Sequence, residues 1–189
     1  MINLHTQLPG FAGRSAHKRA ALSPMRFVLV FIILALLATE AKAGLPGYVV
    51  IDSIVVHKKQ RKMCVYQEGE FVKSYRIALG PSPVGRKRYK GDNRTPEGLY
   101  YIEDKNPFSD YHKNLGISYP NDNDRARARR NGRSPGGDIK IHGLPNGKGY
   151  LGSSHARYDW TEGCIAVTNR EIDELYRHVE VGAPINILP

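Results

Sequence analysis

The sequence predicts a mainly β domain with one well-defined helix near its C-terminal end. Three observations lead there. Short β-branched and aromatic runs recur at close spacing, Gly and Pro punctuate them (19 and 12 in 189 residues), and a single segment combines a capping box with helical apolar spacing. At 41% hydrophobic residues the chain is too apolar for a disordered tail, and its Gly and Pro exclude a helical bundle. Its length is that of one domain with a short appendage.

The appendage comes first. Phe27 to Ala38 is a 12-residue apolar run, preceded by Arg26 and followed by Ala41-Lys42-Ala43, an A-x-A site. This predicts a signal peptide over residues 1–43, cleaved after Ala43, and a periplasmic (exported) chain over 44–189. The alternative is an uncleaved anchor, but the run is shorter than the ~20 apolar residues of a membrane span, so no stable span is expected after cleavage. Met25-Arg26 and the run form a complete signal alone, so residues 1–24 read as an extended or misassigned start. The whole chain carries a formal charge of +10, and residues 44–189 keep 23 basic against 17 acidic residues, or +6. An exported basic protein meets anionic envelope polymers first, which argues against nucleic acid as a partner.

Along the remaining chain, Ser53 to His57 and Met63 to Tyr66 read as strands around a polar turn at Lys58 to Lys62. Glu68-Gly69-Glu70 turns the chain into Phe71 to Leu79, which alternates apolar and polar residues. Thr95-Pro96-Glu97-Gly98 has a type I turn's Pro and Gly and launches a strand over Leu99 to Glu103. Two basic segments read as long loops: Pro81 to Arg94, and Asp122 to Gly137 with five arginines, Arg125 to Arg133. Each is either a solvated surface or a lid, and the second is expected to cover a cleft because it leads into the strand Asp138 to Gly143. Thr168 and Glu171 form a capping box, and Ile172, Leu175, Tyr176 and Val179 recur on one helical face. Gly182 stops that helix and Pro184 to Leu188 reads as a last strand.

Two short strands carry the chemistry. In Asp138 to Gly143 the isoleucines point one way, Lys140 and His142 the other. In Gly163 to Val167, Ile165 and Val167 point one way, Cys164 and Ala166 the other. If the isoleucine faces cover one core, imidazole and thiol emerge together. A thiol of pKa about 8.5 beside an imidazole can be held as thiolate, and the Gly163 and Cys164 amides are candidate oxyanion donors. The competing reading is a Cys64–Cys164 disulfide, the simplest fate of two cysteines in an exported chain, and the residues alone leave both open. Cys64, within an apolar strand, otherwise reads as an inert small hydrophobe. His142, His155 and Cys164 lack the paired spacing of zinc sites, so no metal or cofactor is expected.

Ile141-His142-Gly143 followed by Thr161-Glu162-Gly163-Cys164-Ile165, with Thr95-Pro96-Glu97-Gly98 upstream, resembles the L,D-transpeptidase catalytic domain (YkuD-type), closest to a short proteobacterial branch of stand-alone domains. The resemblance covers about residues 52–189. It implies a β-sandwich whose two sheets enclose a core, with a helix packed near the active-site cleft. It also implies Cys164 as nucleophile, His142 as general base and acid, and the Gly143 carbonyl as the group orienting His142. Thr161 and Gly163 are implied to line the site. Glu162 stands where the family usually has His, and Ala166 where it often has Arg, leaving Arg157 as the candidate to hold a substrate carboxylate. The implied reaction is attack on a peptidoglycan stem tetrapeptide at its diamino acid and transfer to an amine of another stem or of an envelope protein. A hydrolase or amidase of the same mechanism is the alternative, and a non-catalytic wall-binding module the alternative of another class.

Overall fold

The computed structural model describes residues 44–189, so the signal-peptide reading of residues 1–43 lies outside the described residues. Two strands with strict apolar alternation set the frame. β1 (Ser53–His57) buries Ile54 and Val56, and β8 (Pro184–Leu188) buries Ile185 and Ile187. They pair parallel with Ile54 opposite Ile185 and Val56 opposite Ile187, which puts all four side chains on one face. β2 (Lys62–Gln67) and β3 (Glu70–Arg76) extend this sheet antiparallel on one side of β1.

β4 (Gly98–Ser109) is longer than the expected Leu99 to Glu103, and the extension matters. Its first residues pair with β8, and from Ile102 onward it pairs with β5 (His112–Ile117). A register shift between Ile102 and Asp104 bends the strand where it changes partner. β6 (Lys140–His142) and the two-residue β7 (Ile165–Ala166) follow, giving the order β3-β2-β1-β8-β4-β5-β6-β7. The two sheets expected of a sandwich are therefore halves of one curled sheet, because β4 belongs to both. Just past β3, Ala78 exchanges both backbone hydrogen bonds with Ala166 (3.0 and 2.9 Å), so the first and last strands of the order meet. The curl encloses a single apolar cluster contributed by both halves, including Ile54, Tyr75, Ile102, Ile141, Ile165 and Ile185.

Helix α2 (Asn169–His178) forms as predicted, with both hydrogen bonds of the Thr168–Glu171 capping box present. It buries Ile172 and Leu175 in the core and is tied to β5 through Asp173, which accepts from Lys113 at 2.7 Å. The arginine-rich segment departs from expectation. It is a second helix, α1 (Asp122–Arg130), rather than a loop. Asn121 and Asp124 form its capping box, Ala128 is buried, and the buried Tyr100 hydroxyl donates to Asp124 at 2.9 Å. Tertiary docking of Asp124 and Ala128 fixes as helix a stretch whose surface arginines look solvated. A 3₁₀ segment (Gly149–Arg157) connects β6 toward β7. None of the described helices is long and apolar enough to cross a membrane.

Candidate active site

The parity argument holds in three dimensions. β6 and β7 pair parallel with Ile141 opposite Ile165 and His142 opposite Ala166, so both isoleucines enter the core. His142 and Cys164 then lie diagonally on the opposite face and line one cavity of about 820 Å³. Both cysteines are free. Cys64 is buried on β2 between the core residues Met63 and Val65 and is unpaired with Cys164, which removes the disulfide alternative.

His142 is 5% exposed. Its Nδ1 lies 2.7 Å from the carbonyl oxygen of Gly143. A carbonyl only accepts, so this bond assigns the ring proton to Nδ1 and leaves Nε2 as the basic nitrogen. The Tyr111 ring packs 4.5 Å from the imidazole and the Trp160 ring 5.7 Å, centroid to centroid. Burial lowers the His142 pKa to about 4 against a bonus from Gly143, and the positive potentials of His155 and Lys140 add to the lowering. Gly143 itself is packed too closely for a side chain: a Cβ would meet Asn169 Oδ1 at 2.8 Å and the Tyr111 carbonyl at 2.9 Å.

Cys164 is half-buried, with Sγ 3.6 Å from the Asp138 carbonyl oxygen. Burial pushes its thiol pKa up, while the facing Lys140 backbone N–H and the Lys140 and Lys87 charges pull the other way. Burial therefore disfavours the charged form of both groups. Desolvation thus works against the stored thiolate expected from residue types.

Thr161 lines the cavity as expected, whereas Gly163 does not. The Thr161 hydroxyl donates to the Cys164 carbonyl at 2.7 Å and accepts from Gly163 N–H at 3.2 Å. Thr161 thus shapes the loop bearing Cys164, and the Gly163 amide is already engaged rather than free for an oxyanion. Gly163 adopts φ +127°, and a Cβ there would lie 2.6 Å from the Arg94 carbonyl. Its close approach is to the protein's own backbone. That loop is anchored from outside as well: Asp159 accepts from Arg61 Nη2 at 2.6 Å and from Leu79 N–H at 3.0 Å, while Thr161 N–H donates to Leu79.

Arg157 is exposed at the end of the 3₁₀ segment and does not line the cavity. Neither do Arg125 to Arg133, so the expected lid is absent from the cleft, although Ser134, Gly136 and Gly137 after it form part of the wall. Sequence reasoning missed Tyr111, Asn114 and Lys87 as lining residues. None of them carried a local signal: Asn114, for one, is placed by its pairing directly opposite His142 on β5. No cluster of three His, Cys, Asp or Glu among the described residues could hold a metal ion.

Comparison with known proteins adds the family. The chain is 29% identical over 133 residues to YafK of Escherichia coli (strain K12), whose name assigns it to the L,D-transpeptidases; the match covers 67% of this chain and 46% of that protein. The chain thus spans about half the length of the curated relatives it matches. Among solved structures it is similar to the helical cell shape determining protein Pgp2 from Campylobacter jejuni (24% identity, TM-score 0.56, covering 74% of this chain and 48% of that one). It is also similar to Bd1075 of Bdellovibrio bacteriovorus (24% identity, TM-score 0.50, covering 77% and 54%). These likenesses establish the shared fold. The family profile described as the L,D-transpeptidase catalytic domain matches residues 51–187. With the profile spanning nearly every described strand and both His142 and Cys164, the chain belongs to the L,D-transpeptidase catalytic domain family.

Proposed function

We propose that this chain is an exported cysteine L,D-transpeptidase that is acylated by a peptidoglycan stem tetrapeptide at its diamino acid. The observation that carries this reading is the His142 tautomer: Nδ1–H is committed to Gly143, so the ring's one basic nitrogen serves a cavity shared with Cys164. With burial disfavouring both charges, proton transfer accompanies attack. Cys164 Sγ bonds to the carbonyl carbon of the scissile amide as its proton passes to His142 Nε2. The tetrahedral adduct collapses, the C–N bond breaks, and the imidazolium protonates the departing amine of the terminal residue. A thioester remains. An acceptor amine, from another stem or an envelope protein, then attacks it, loses a proton to His142 and restores the thiol. Water in place of that amine makes the same machinery a hydrolase. Residues 1–43 supply export to the periplasm, with cleavage after Ala43.

Intact-mass analysis of the protein with defined muropeptides tests this reading. The expected result is an adduct on Cys164 lacking the terminal residue of the stem, with that residue released. Added amine should move the adduct to product, and a wild-type protein that alkylates normally but forms no adduct overturns the proposal.

A further inference from the structure

The proposed substrate carries carboxylates, yet the position where the family often has Arg is Ala166, fully buried in the strand that meets Ala78. The cavity wall contains no arginine at all; its cations are Lys87, Lys90 and Lys140. Lys90 is exposed, and Lys140 pairs with Asp138 at 2.8 Å at the solvent edge. Lys87 differs from both, being only 4% exposed although it lines the cavity. A buried ammonium at a cavity wall needs a reason, because burial without acceptors is costly.

Part of the reason is Asp92, which accepts from Lys87 Nζ at 2.8 Å. Asp92 is in turn wrapped by backbone, accepting from Arg88 N (2.6 Å), Tyr89 N (3.3 Å) and Arg94 N (3.1 Å). Those amides, with Lys87, hold its carboxyl below the usual range despite burial. The loop is pinned below by Lys58, whose Nζ reaches the carbonyls of Gly85 (2.7 Å) and Thr95 (3.1 Å), and across the cavity by Lys90 N–H to the Ser134 carbonyl (2.9 Å). The three backbone bonds already close the turn around Asp92, so a cation is not required to hold it. An ammonium has three N–H donors, and Asp92 is the one hydrogen-bond acceptor that Lys87 meets among the described residues. Lys87 lines the cavity with donors to spare, and its charge already bears on Cys164.

We propose that Lys87, preset by Asp92, is the specificity-determining anchor for a carboxylate of the stem peptide, the task that Ala166 does not perform. This rests on the stem-peptide reading above. A charge-assisted bond from a fixed, partly desolvated ammonium discriminates against the neutral amide of the same shape by on the order of ten- to a hundredfold.

The test measures acyl-enzyme formation on the full chain with a stem tetrapeptide and three versions in which the terminal, diamino-acid or glutamyl carboxylate is singly converted to an amide. One amidation should lower kcat/KM by that factor in the wild type, mainly through KM, and so identify the carboxylate engaged. In the charge-neutral double variant Lys87→Met with Asp92→Asn the acid-to-amide ratio should fall to near one; Lys87→Arg should keep part of it. Any change in thiol reactivity, followed by iodoacetamide alkylation, acts equally on acid and amide and cancels in the ratio. The proposal is overturned if the wild type treats all four peptides alike, or if the double variant retains the wild-type ratio. Should that variant fail to fold, the wild-type series and Lys87→Arg decide. Normal alkylation with no adduct from any peptide overturns the stem-peptide reading itself, and this inference with it.

Discussion

His142 shows how one burial sets both chemistry and stability. Its folded pKa of about 4 lies below the ordinary 6.5, so the folded state binds fewer protons than the unfolded chain between those values. Stability is then fully present above pH 6.5 and is lost as pH falls toward 4, by about 3 kcal/mol from this residue. His155, buried and also lowered, adds in the same direction. Denaturant titrations across this window should show the loss, and His142→Gln should flatten it. The same variant should cut acylation of Cys164 by on the order of 10²–10⁴ while leaving the circular dichroism spectrum unchanged, since it removes proton transfer rather than core packing. In the wild type, the acid limb of kcat/KM should fall well below pH 6.5, the mark of a base that rests neutral. The facing of His142 and Cys164 was legible from the parity of four apolar residues. Their protonation states were not, because desolvation depends on Tyr111 and Trp160, which come from distant parts of the chain.

Helix α1 illustrates what local sequence conceals. Asn121 and Asp124 spell a capping box and Ala126 and Ala128 favour helix, yet five arginines in nine residues read as a solvated loop. The deciding contacts are remote: Tyr100 bonds Asp124, and Ala128 is fully buried. β5 escaped for a similar reason, having only Leu115 and Ile117 as apolar markers and a pairing with β4 that no local pattern specifies. Helix α2 was legible because cap, stripe and terminal charges all agree. Two consequences can be measured. Asn121→Ala should cost about 1 kcal/mol in denaturant unfolding through loss of the cap. Replacing Arg125, Arg129 and Arg130 by Gln should change KM for stem peptides less than about twofold, since surface charges outside the cavity contribute little to it. A several-fold rise in KM would return these residues to the substrate path.

At the scale of the whole molecule, the site depends on the meeting of Ala78 with Ala166, two residues beyond Cys164. Ala78→Pro removes the N–H that donates to the Ala166 carbonyl and leaves a buried acceptor unpaired, a loss of about 1–3 kcal/mol. Acylation should fall in the same variant at temperatures where it remains folded, because Cys164 directly precedes that two-residue strand. Amide exchange at Ala78 and Ala166 checks the premise, with both expected among the slow, globally protected group. The strand order has a further consequence. β8, the most C-terminal of the described strands, lies between β1 and β4 and joins the two halves of the sheet. Until Pro184 to Leu188 have left the ribosome, neither half has its neighbour and the core cannot close. β8 is therefore the seam on which closure of both halves depends.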